Sequence, residues 1–382
     1  MTVNKLLTYI CGVGILAPNV AIVQIVPSEI QPWGPIFFLM IYISSSSQFF
    51  YRYQTIIVFI SAFFIFLTLM AITFLLNDRE LDLKIVHIAP FVLLICGFLF
   101  VHHLRENELF FVRMKYIYFV MFTIAALIGI GQLTGLVPMN LPFITREMAF
   151  SREVFLNSGR GAIGFATEPH MYVEPFAALG IALIATQRLS RKEAERIILA
   201  IFFLGAISLS VIWWAFLGLF ISIYYLRPRT LILMCLFVLV STYVNFGRPT
   251  EVMREVINSG LDIESLFLVF GNSFEYRFMP IFAPFFVLVD FPTFDIVSPF
   301  RGNVWVGFPG IWGLITVTKS VLVFFVVILL FVGVVLLQFK KGTKARNFVL
   351  RLVFISPILF LSSINSFGLS LVIASVLLSK ER

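Results

Sequence analysis

Residues 116–136 read YIYFVMFTIAALIGIGQLTGL, a stretch that contains no charged side chain. A transmembrane helix needs about 20 mostly apolar residues, so this stretch is long enough to cross a bilayer. The whole chain has the same character, because 60% of its 382 residues are hydrophobic and only 13% are charged. Soluble domains carry about 25% charged residues. The composition therefore predicts an integral membrane protein and excludes an ordinary soluble enzyme.

Further apolar stretches predict additional spans, at residues 6–27, 34–50, 54–76, 85–101, 171–187, 230–247 and about 314–338. Two longer stretches, 197–226 and 348–379, have basic residues at both ends, which places both ends in the cytoplasm. Each of these must turn back on itself, at 208–210 and at 365–368 respectively. The predicted fold class is all-α and polytopic, with about 12 transmembrane helices in one domain over residues 1–382 and both termini cytoplasmic.

The net charge of +8 is explained by topology, because lysine and arginine collect in the short loops that this arrangement places in the cytoplasm. We therefore expect no nucleic-acid partner. The three cysteines, Cys11, Cys96 and Cys235, lie in apolar spans without metal-ligand spacing, so neither a disulfide nor a metal site is predicted. We expect the N-terminal span to be a retained helix, since no clear small-residue cleavage site follows it.

Two long loops, 137–170 and 248–305, are predicted on the outer side of the membrane. Loops of this length in a compact protein are usually functional or disordered, and their aromatic and proline content argues against disorder. We expect both to be structured lids. The apolar run 278–300 is interrupted by prolines, so it is expected to lie at the membrane interface instead of crossing.

The first of these loops ends in a polar segment, residues 159–170, that reads GRGAIGFATEPH. It places Arg160, Glu168 and His170 beside a predicted span, where charged groups are costly and therefore mark candidate functional sites. His170 and Glu174 are four residues apart, so on a helix they share a face, and Glu174 could orient or charge the imidazole. The alternative is that His170 caps the helix or lies at the interface while Glu174 pairs locally.

The run from Arg160 to His170, followed by a helix, a basic loop and a hairpin, resembles the O-antigen polymerase and O-antigen ligase superfamily of the bacterial inner membrane. In that family an Arg-x-x-Gly element leads into Glu-Pro and usually a small polar residue. This chain has Arg160, Gly164, Glu168 and Pro169 there. It departs from the pattern in having three residues between Arg160 and Gly164, and in having His170 after the proline. Family members commonly use their third and fifth outer loops around the active site, which correspond to 137–170 and 248–305.

The resemblance implies a glycosyltransferase that polymerises undecaprenyl-diphosphate-linked oligosaccharide repeat units. Arg160 and Arg277 would stabilise the departing diphosphate, because a guanidinium stays charged and can hold phosphate oxygens bidentately. Glu168 or His170 would be the base for the acceptor hydroxyl. By family analogy the displacement would be inverting and metal-independent, with no cofactor. Further candidate substrate-binding residues are Arg146, Arg152, Glu174, Arg254, Glu275, Tyr276, Arg301 and the intramembrane Lys319.

The expected partners are the lipid-linked glycans and the lipid bilayer, with room for a chain-length regulator protein. Two other functions stay open. An O-antigen ligase would transfer glycan to lipid A core, but ligases usually carry a histidine in the later outer loop, and 248–305 contains none. A lipid-linked oligosaccharide flippase or another transporter would show internal repeats and charged residues near the midplane, and no clear repeat is present.

Overall fold

The structure is a computed structural model that describes residues 3–20, 25, 30–45, 85–141, 143, 144, 161–208, 258, 288–290, 295–297 and 366–378. Seven helices and one pair of strands are formed within these ranges. The helices are α1 (Val3–Leu16), α2 (Trp33–Ser45), α3 (Ile85–Glu106), α4 (Glu108–Thr134), α5 (Pro169–Ala185), α6 (Arg191–Ser208) and α7 (Phe367–Leu378). The strands are β1 (Leu288–Asp290) and β2 (Asp295–Val297).

The prediction of a helical protein is confirmed for the described residues. Of the described helices, α4 alone is long and apolar enough to cross a membrane, as judged by length and composition. Shorter apolar helices lie within α1, α2, α5 and α7. The predicted spans 54–76, 230–247 and 314–338, together with Cys235, lie outside the described residues.

Helix α1 covers only the first part of the predicted span 6–27, which the sequence predicts to be interrupted at Pro18 and Asn19. Helix α1 ends at Leu16, and residues 17–20 form a turn that reaches an isolated bridge between Val20 and Ile144. The cause is Pro18, which disfavours helical backbone at the residue before it and supplies no N–H for the helix ladder. A segment that follows α1 therefore meets the beginning of the 137–170 loop.

The helices α4, α5 and α6 define the two ends of the described bundle. Helix α4 begins after Asn107, whose side chain accepts a hydrogen bond from the N–H of Phe110 at 3.0 Å, and ends at Gly135 in the left-handed conformation. At the start of α4, Nζ of Lys115 lies 2.6 Å from Oε1 of Glu193 in the first turn of α6. We call this end the basic end, and the opposite end, which contains Gln132, the loop end.

The basic end is ordered by a capping box at the start of α6. The Ser190 hydroxyl accepts a hydrogen bond from the N–H of Glu193 at 3.3 Å, and Oε2 of Glu193 accepts one from the N–H of Ser190 at 2.9 Å. This reciprocal pair satisfies backbone donors that a helix start otherwise leaves open. Arg188, Arg191, Lys192 and Arg196 lie exposed at the same end. The sequence predicts these four residues and Lys115 on one side, and the contact between Lys115 and Glu193 is consistent with that placement.

The core is apolar and continuous across the helices. α5 lies in its centre, packed against α4, α6, α7 and α1, and its residues Val173, Phe176, Ala177 and Leu179 have no exposed surface. Helix α7 packs on both α3 and α5. Helix α7, the last described helix of the chain, therefore lies against α5, which follows the polar segment 159–170.

The strands β1 and β2 pair antiparallel, with Val289 opposite Ile296. They lie within the 278–300 run, which the sequence analysis placed at the membrane interface without predicting strands. Val289, Ile296 and Val297 are β-branched, and such residues favour extended backbone. The strand pair is thus a local addition to a helical protein.

Candidate functional site

The candidate site residues divide between described and undescribed parts of the chain. Glu168 precedes α5, His170 is in its first turn, and Glu174 follows one turn later. The remaining candidates lie outside the described residues: Arg146, Arg152, Arg160, Arg254, Glu275, Tyr276, Arg277, Arg301 and Lys319. The predicted convergence of Arg160 and Arg277 therefore stays a prediction. We define residues 161–168, which connect these positions to α5, as the anchored segment.

The anchored segment is joined to α6 through main-chain atoms. The N–H of Gly161 donates to the carbonyl of Ser208 at 3.1 Å, and the N–H of Ala162 donates to the carbonyl of Ile207 at 2.8 Å. A side chain at position 161 would collide with the carbonyl of Ile207, so only glycine allows this approach. The end of α6 is thereby fixed beside the start of the polar segment. Residues 209 and 210 of the predicted reversal lie outside the described residues.

Gln132, near the end of α4, holds the same segment from the other side. Its side chain is fully buried. Oε1 accepts hydrogen bonds from the N–H groups of Ile163 at 3.1 Å and Gly164 at 2.8 Å. Nε2 lies 3.2 Å from the carbonyl oxygen of Gly164 and 3.3 Å from that of Met139. One amide thus contacts both the beginning and the end of the 137–170 excursion.

A tight turn in the anchored segment directs the chain into α5. The N–H of Ala166 donates to the carbonyl of Ile163 at 2.8 Å, and Gly164 has a φ of 56°. A Cβ at position 164 would overlap the ring of Tyr172, which is buried and whose hydroxyl donates to the carbonyl of Ala125 at 2.6 Å. Glycine is required here for both its backbone conformation and its size.

Glu168 occupies the N-cap position of α5 in an extended conformation, and Pro169 follows at the first helical position, where its missing N–H has no cost. The Glu168 side chain does not cap the helix, and it is half-buried. Thr167, beside it, donates from Oγ1 to Sδ of Met171 at 3.3 Å, and Nδ2 of Asn19 lies 3.7 Å from the same sulfur. A carboxylate is therefore placed at the positive end of a helix dipole, on a segment fixed at several points.

Glu174 is buried inside the bundle, with 5% of its surface exposed. The hydroxyl of Ser366, just before α7, donates to Oε1 of Glu174 at 2.5 Å. A Cβ at Gly368 would lie 3.1 Å from the same oxygen, so the start of α7 packs closely on this carboxylate. A helix N-terminus favours a negative charge nearby. Pairing of Glu174 with the His170 imidazole stays a prediction.

Sequence reasoning missed Gln132 and Ser366. Gln132 was visible as an amide side chain within the apolar stretch 116–136, and a polar group in that position needs buried partners. Ser366 offered no such signal, because its partner Glu174 is 192 residues away. Over the described ranges, no group of three histidine, cysteine or carboxylate side chains could hold a metal ion.

Comparison of the chain with models of protein families, with curated proteins and with solved structures finds no match.

Proposed function

We propose that this protein is an integral-membrane glycosyltransferase that polymerises undecaprenyl-diphosphate-linked oligosaccharide repeat units. The growing glycan would be transferred to the terminal sugar of a new lipid-linked unit at the outer face of the membrane. The observation that carries the proposal is the placement of Glu168. This half-buried carboxylate lies at the start of α5, on a segment that Gln132 and α6 hold at the loop end of the bundle.

The dimensions of α4 support a membrane setting. Lys115 and Gln132 mark the basic end and the loop end, and a helix rises roughly 26 Å over the 17 residue steps from one to the other, close to the hydrocarbon thickness of about 30 Å. A stripe of large apolar side chains is exposed along α4, formed by Leu109, Val112, Tyr116, Val120, Ile124, Leu127 and Ile130. An exposed apolar surface of this extent needs a lipid or protein environment to cover it.

The charge distribution supports the proposed orientation. Basic residues on both sides of the α3–α4 and α5–α6 junctions lie at the basic end, which is the pattern of a cytoplasmic surface: Arg105, Arg113, Lys115, Arg188, Arg191, Lys192 and Arg196. The anchored segment lies at the opposite end, so Glu168 would face the outer side. This is the side on which the expected donor and acceptor glycans would meet.

The proposed reaction is a displacement at the anomeric carbon of the donor. The acceptor hydroxyl oxygen bonds to that carbon while the bond from the carbon to the diphosphate oxygen breaks, and undecaprenyl diphosphate leaves. Glu168 or His170 accepts the hydroxyl proton, which is general-base catalysis. Arg160 and Arg277 stabilise the negative charge of the leaving diphosphate. The positive end of α5 adds a dipole of the appropriate sign for an anionic group.

The proposal is tested by deleting the gene in its host and separating the surface polysaccharide on a gel. Loss of the polymerase leaves core plus a single repeat unit, loss of a ligase leaves no repeat unit, and a normal ladder of chain lengths contradicts both functions. Complementation with Arg160→Ala or Glu168→Gln should leave only the single-repeat product while the protein still inserts. Arg188→Ala, at the exposed basic end, is the matched control and should restore the full ladder.

A further inference from the structure

Gln132 is buried, and its side-chain amide makes five contacts with backbone groups of one loop. Its Oε1 accepts from Ile163 and Gly164, and its Nε2 faces the carbonyl oxygens of Gly164, Met139 and, at 3.4 Å, Pro138. A primary amide has two N–H donors and one oxygen with two lone pairs. The amide oxygen therefore accepts two hydrogen bonds, and the amide nitrogen lies within hydrogen-bond distance of three carbonyl oxygens.

These partners lie at the two bases of the 137–170 excursion. Pro138 and Met139 are where the chain leaves α4, and Ile163 and Gly164 are where it returns towards α5. One side chain therefore closes the loop, although 24 residues separate Met139 from Gly164 in the sequence. The Gln132 contacts lie close to the proposed site in the sequence, because Glu168 follows Gly164 by only four residues. The turn closed by the hydrogen bond from Ala166 to Ile163 lies between them.

We propose that Gln132 is a positioning residue for the proposed glycosyl transfer: by clamping both bases of the loop, it fixes Glu168 and the start of α5 relative to α4. This inference rests on the proposed function. Misplacement of a catalytic group by about 1 Å can lower a rate by on the order of 100-fold. Binding of the long lipid-linked donor depends on many other contacts. Loss of the clamp should therefore lower kcat much more than it raises KM.

The experiment uses the full-length protein in lipid nanodiscs with a synthetic undecaprenyl-diphosphate-linked repeat unit. Gln132→Met keeps the length of the side chain and removes both polar groups. Gln132→Glu keeps an acceptor for Ile163 and Gly164 but cannot donate to Gly164, Met139 and Pro138, so it gives a second variant if Gln132→Met folds poorly. Two quantities are measured: the kinetic constants, and the hydrogen–deuterium exchange of the segment that contains Ile163 and Gly164.

For Gln132→Met we expect exchange at Ile163 and Gly164 to accelerate at least tenfold, kcat to fall roughly 100-fold and KM to stay within about threefold. Gln132→Glu should have an exchange rate and a kcat between those of Gln132→Met and wild type. The control is Thr186→Val, which removes a buried hydroxyl that donates to Leu183 at 2.7 Å in the α5–α6 connection at the basic end. It should leave kcat and the exchange of the anchored segment unchanged.

Wild-type exchange in Gln132→Met, or fast exchange with wild-type kcat, would overturn the positioning role. An equal loss of kcat in Thr186→Val would also overturn it, because the effect would then follow general destabilisation. The proposed function fails separately if the wild-type protein does not extend the glycan. In that case the exchange rates of Gln132→Met still decide whether this amide holds the loop.

Discussion

The hydroxyl of Ser366 donates a hydrogen bond of 2.5 Å to the carboxylate of Glu174, across 192 residues of sequence. Both groups are buried, so this bond joins α7 to α5 in a place where water cannot replace either partner. Removal of one partner from a buried hydrogen bond costs more than the bond itself contributes, because the remaining group loses its solvation and gains nothing. The contact therefore helps to seat the last described helix beside the candidate site.

Ser366→Ala is expected to lower the free energy of unfolding by about 1–3 kcal/mol, because it leaves the buried Glu174 carboxylate without this donor. Glu174→Gln should cost less, since its amide oxygen can still accept from Ser366. Thermal unfolding of the purified variants in one detergent measures both. A Ser366→Ala protein that is as stable as wild type would contradict the structural role of the pair.

The pair also separates a structural from a substrate-binding role for Glu174. If the carboxylate serves only to seat α7, Ser366→Ala and Glu174→Gln should retain KM for the lipid-linked unit. A marked rise in KM for Glu174→Gln alone would instead support the prediction that Glu174 binds substrate.

Gly164→Ala is expected to be strongly destabilising, because the new Cβ overlaps the ring of Tyr172 and the backbone has a positive φ. The positive φ by itself costs about 1–2 kcal/mol for a residue with a side chain. Gly135→Ala is the matched control, since Gly135 also has a positive φ but is exposed. Unfolding temperatures should fall much further for Gly164→Ala, and equal losses would show that crowding against Tyr172 contributes nothing.

Tyr172→Phe removes a hydroxyl that donates to the carbonyl of Ala125 at 2.6 Å. The ring packing against Gly164 remains, so we expect a loss of about 1 kcal/mol in the free energy of unfolding. Chemical or thermal unfolding of the variant measures this loss. An increase in stability would mean that the bond between α5 and α4 does not offset the burial of the tyrosine hydroxyl.

The ion pair at the basic end should make stability depend on pH in acid. The Glu193 carboxylate accepts a hydrogen bond from Lys115, which is the largest cause of its lowered pKa, and further hydrogen bonds from the N–H and hydroxyl of Ser190. Together they lower the pKa of Glu193 from 4.5 to about 2. Glu193 lies in the first turn of α6, before the apolar part of that helix. Because the folded-state pKa is the lower one, the stabilisation is complete above about pH 4.5 and is lost as the pH falls towards 2.

The unfolding temperature of Glu193→Gln should therefore lie below that of wild type by a constant difference at neutral pH, and this difference should shrink between about pH 4.5 and 2. Glu195→Gln is the control, because Glu195 pairs with Arg191 on the exposed helix surface at 3.2 Å and such pairs contribute little. A difference between wild type and Glu193→Gln that does not change with pH would contradict the assignment.

Apolar length predicted the positions of the described helices better than their ends: the span 116–136 ends within two residues of α4, but α4 begins at Glu108, eight residues before that span. Asn107 and Gly135 bound α4, and the basic residues after α5 mark the connection to α6. The same length criterion failed for residues 6–27, because it counts apolar residues and ignores the effect of Pro18 on the backbone.

The candidate site was predictable only in part, for a different physical reason. Glu168 and His170 were found because polar groups beside an apolar stretch are costly and therefore conspicuous. The partners that hold this region were not found, because the contacts of Gln132 with Gly164 and of Ser366 with Glu174 depend on which helices are neighbours. Periodicity along one helix carries no information about that choice.

The joint between Gly161, Ala162 and the last carbonyls of α6 consists of peptide groups alone. Apart from the glycine at position 161, this connection does not depend on which side chains surround it. Substitutions of the side chains that line this end of the bundle should therefore leave the main-chain connection between α6 and the anchored segment in place.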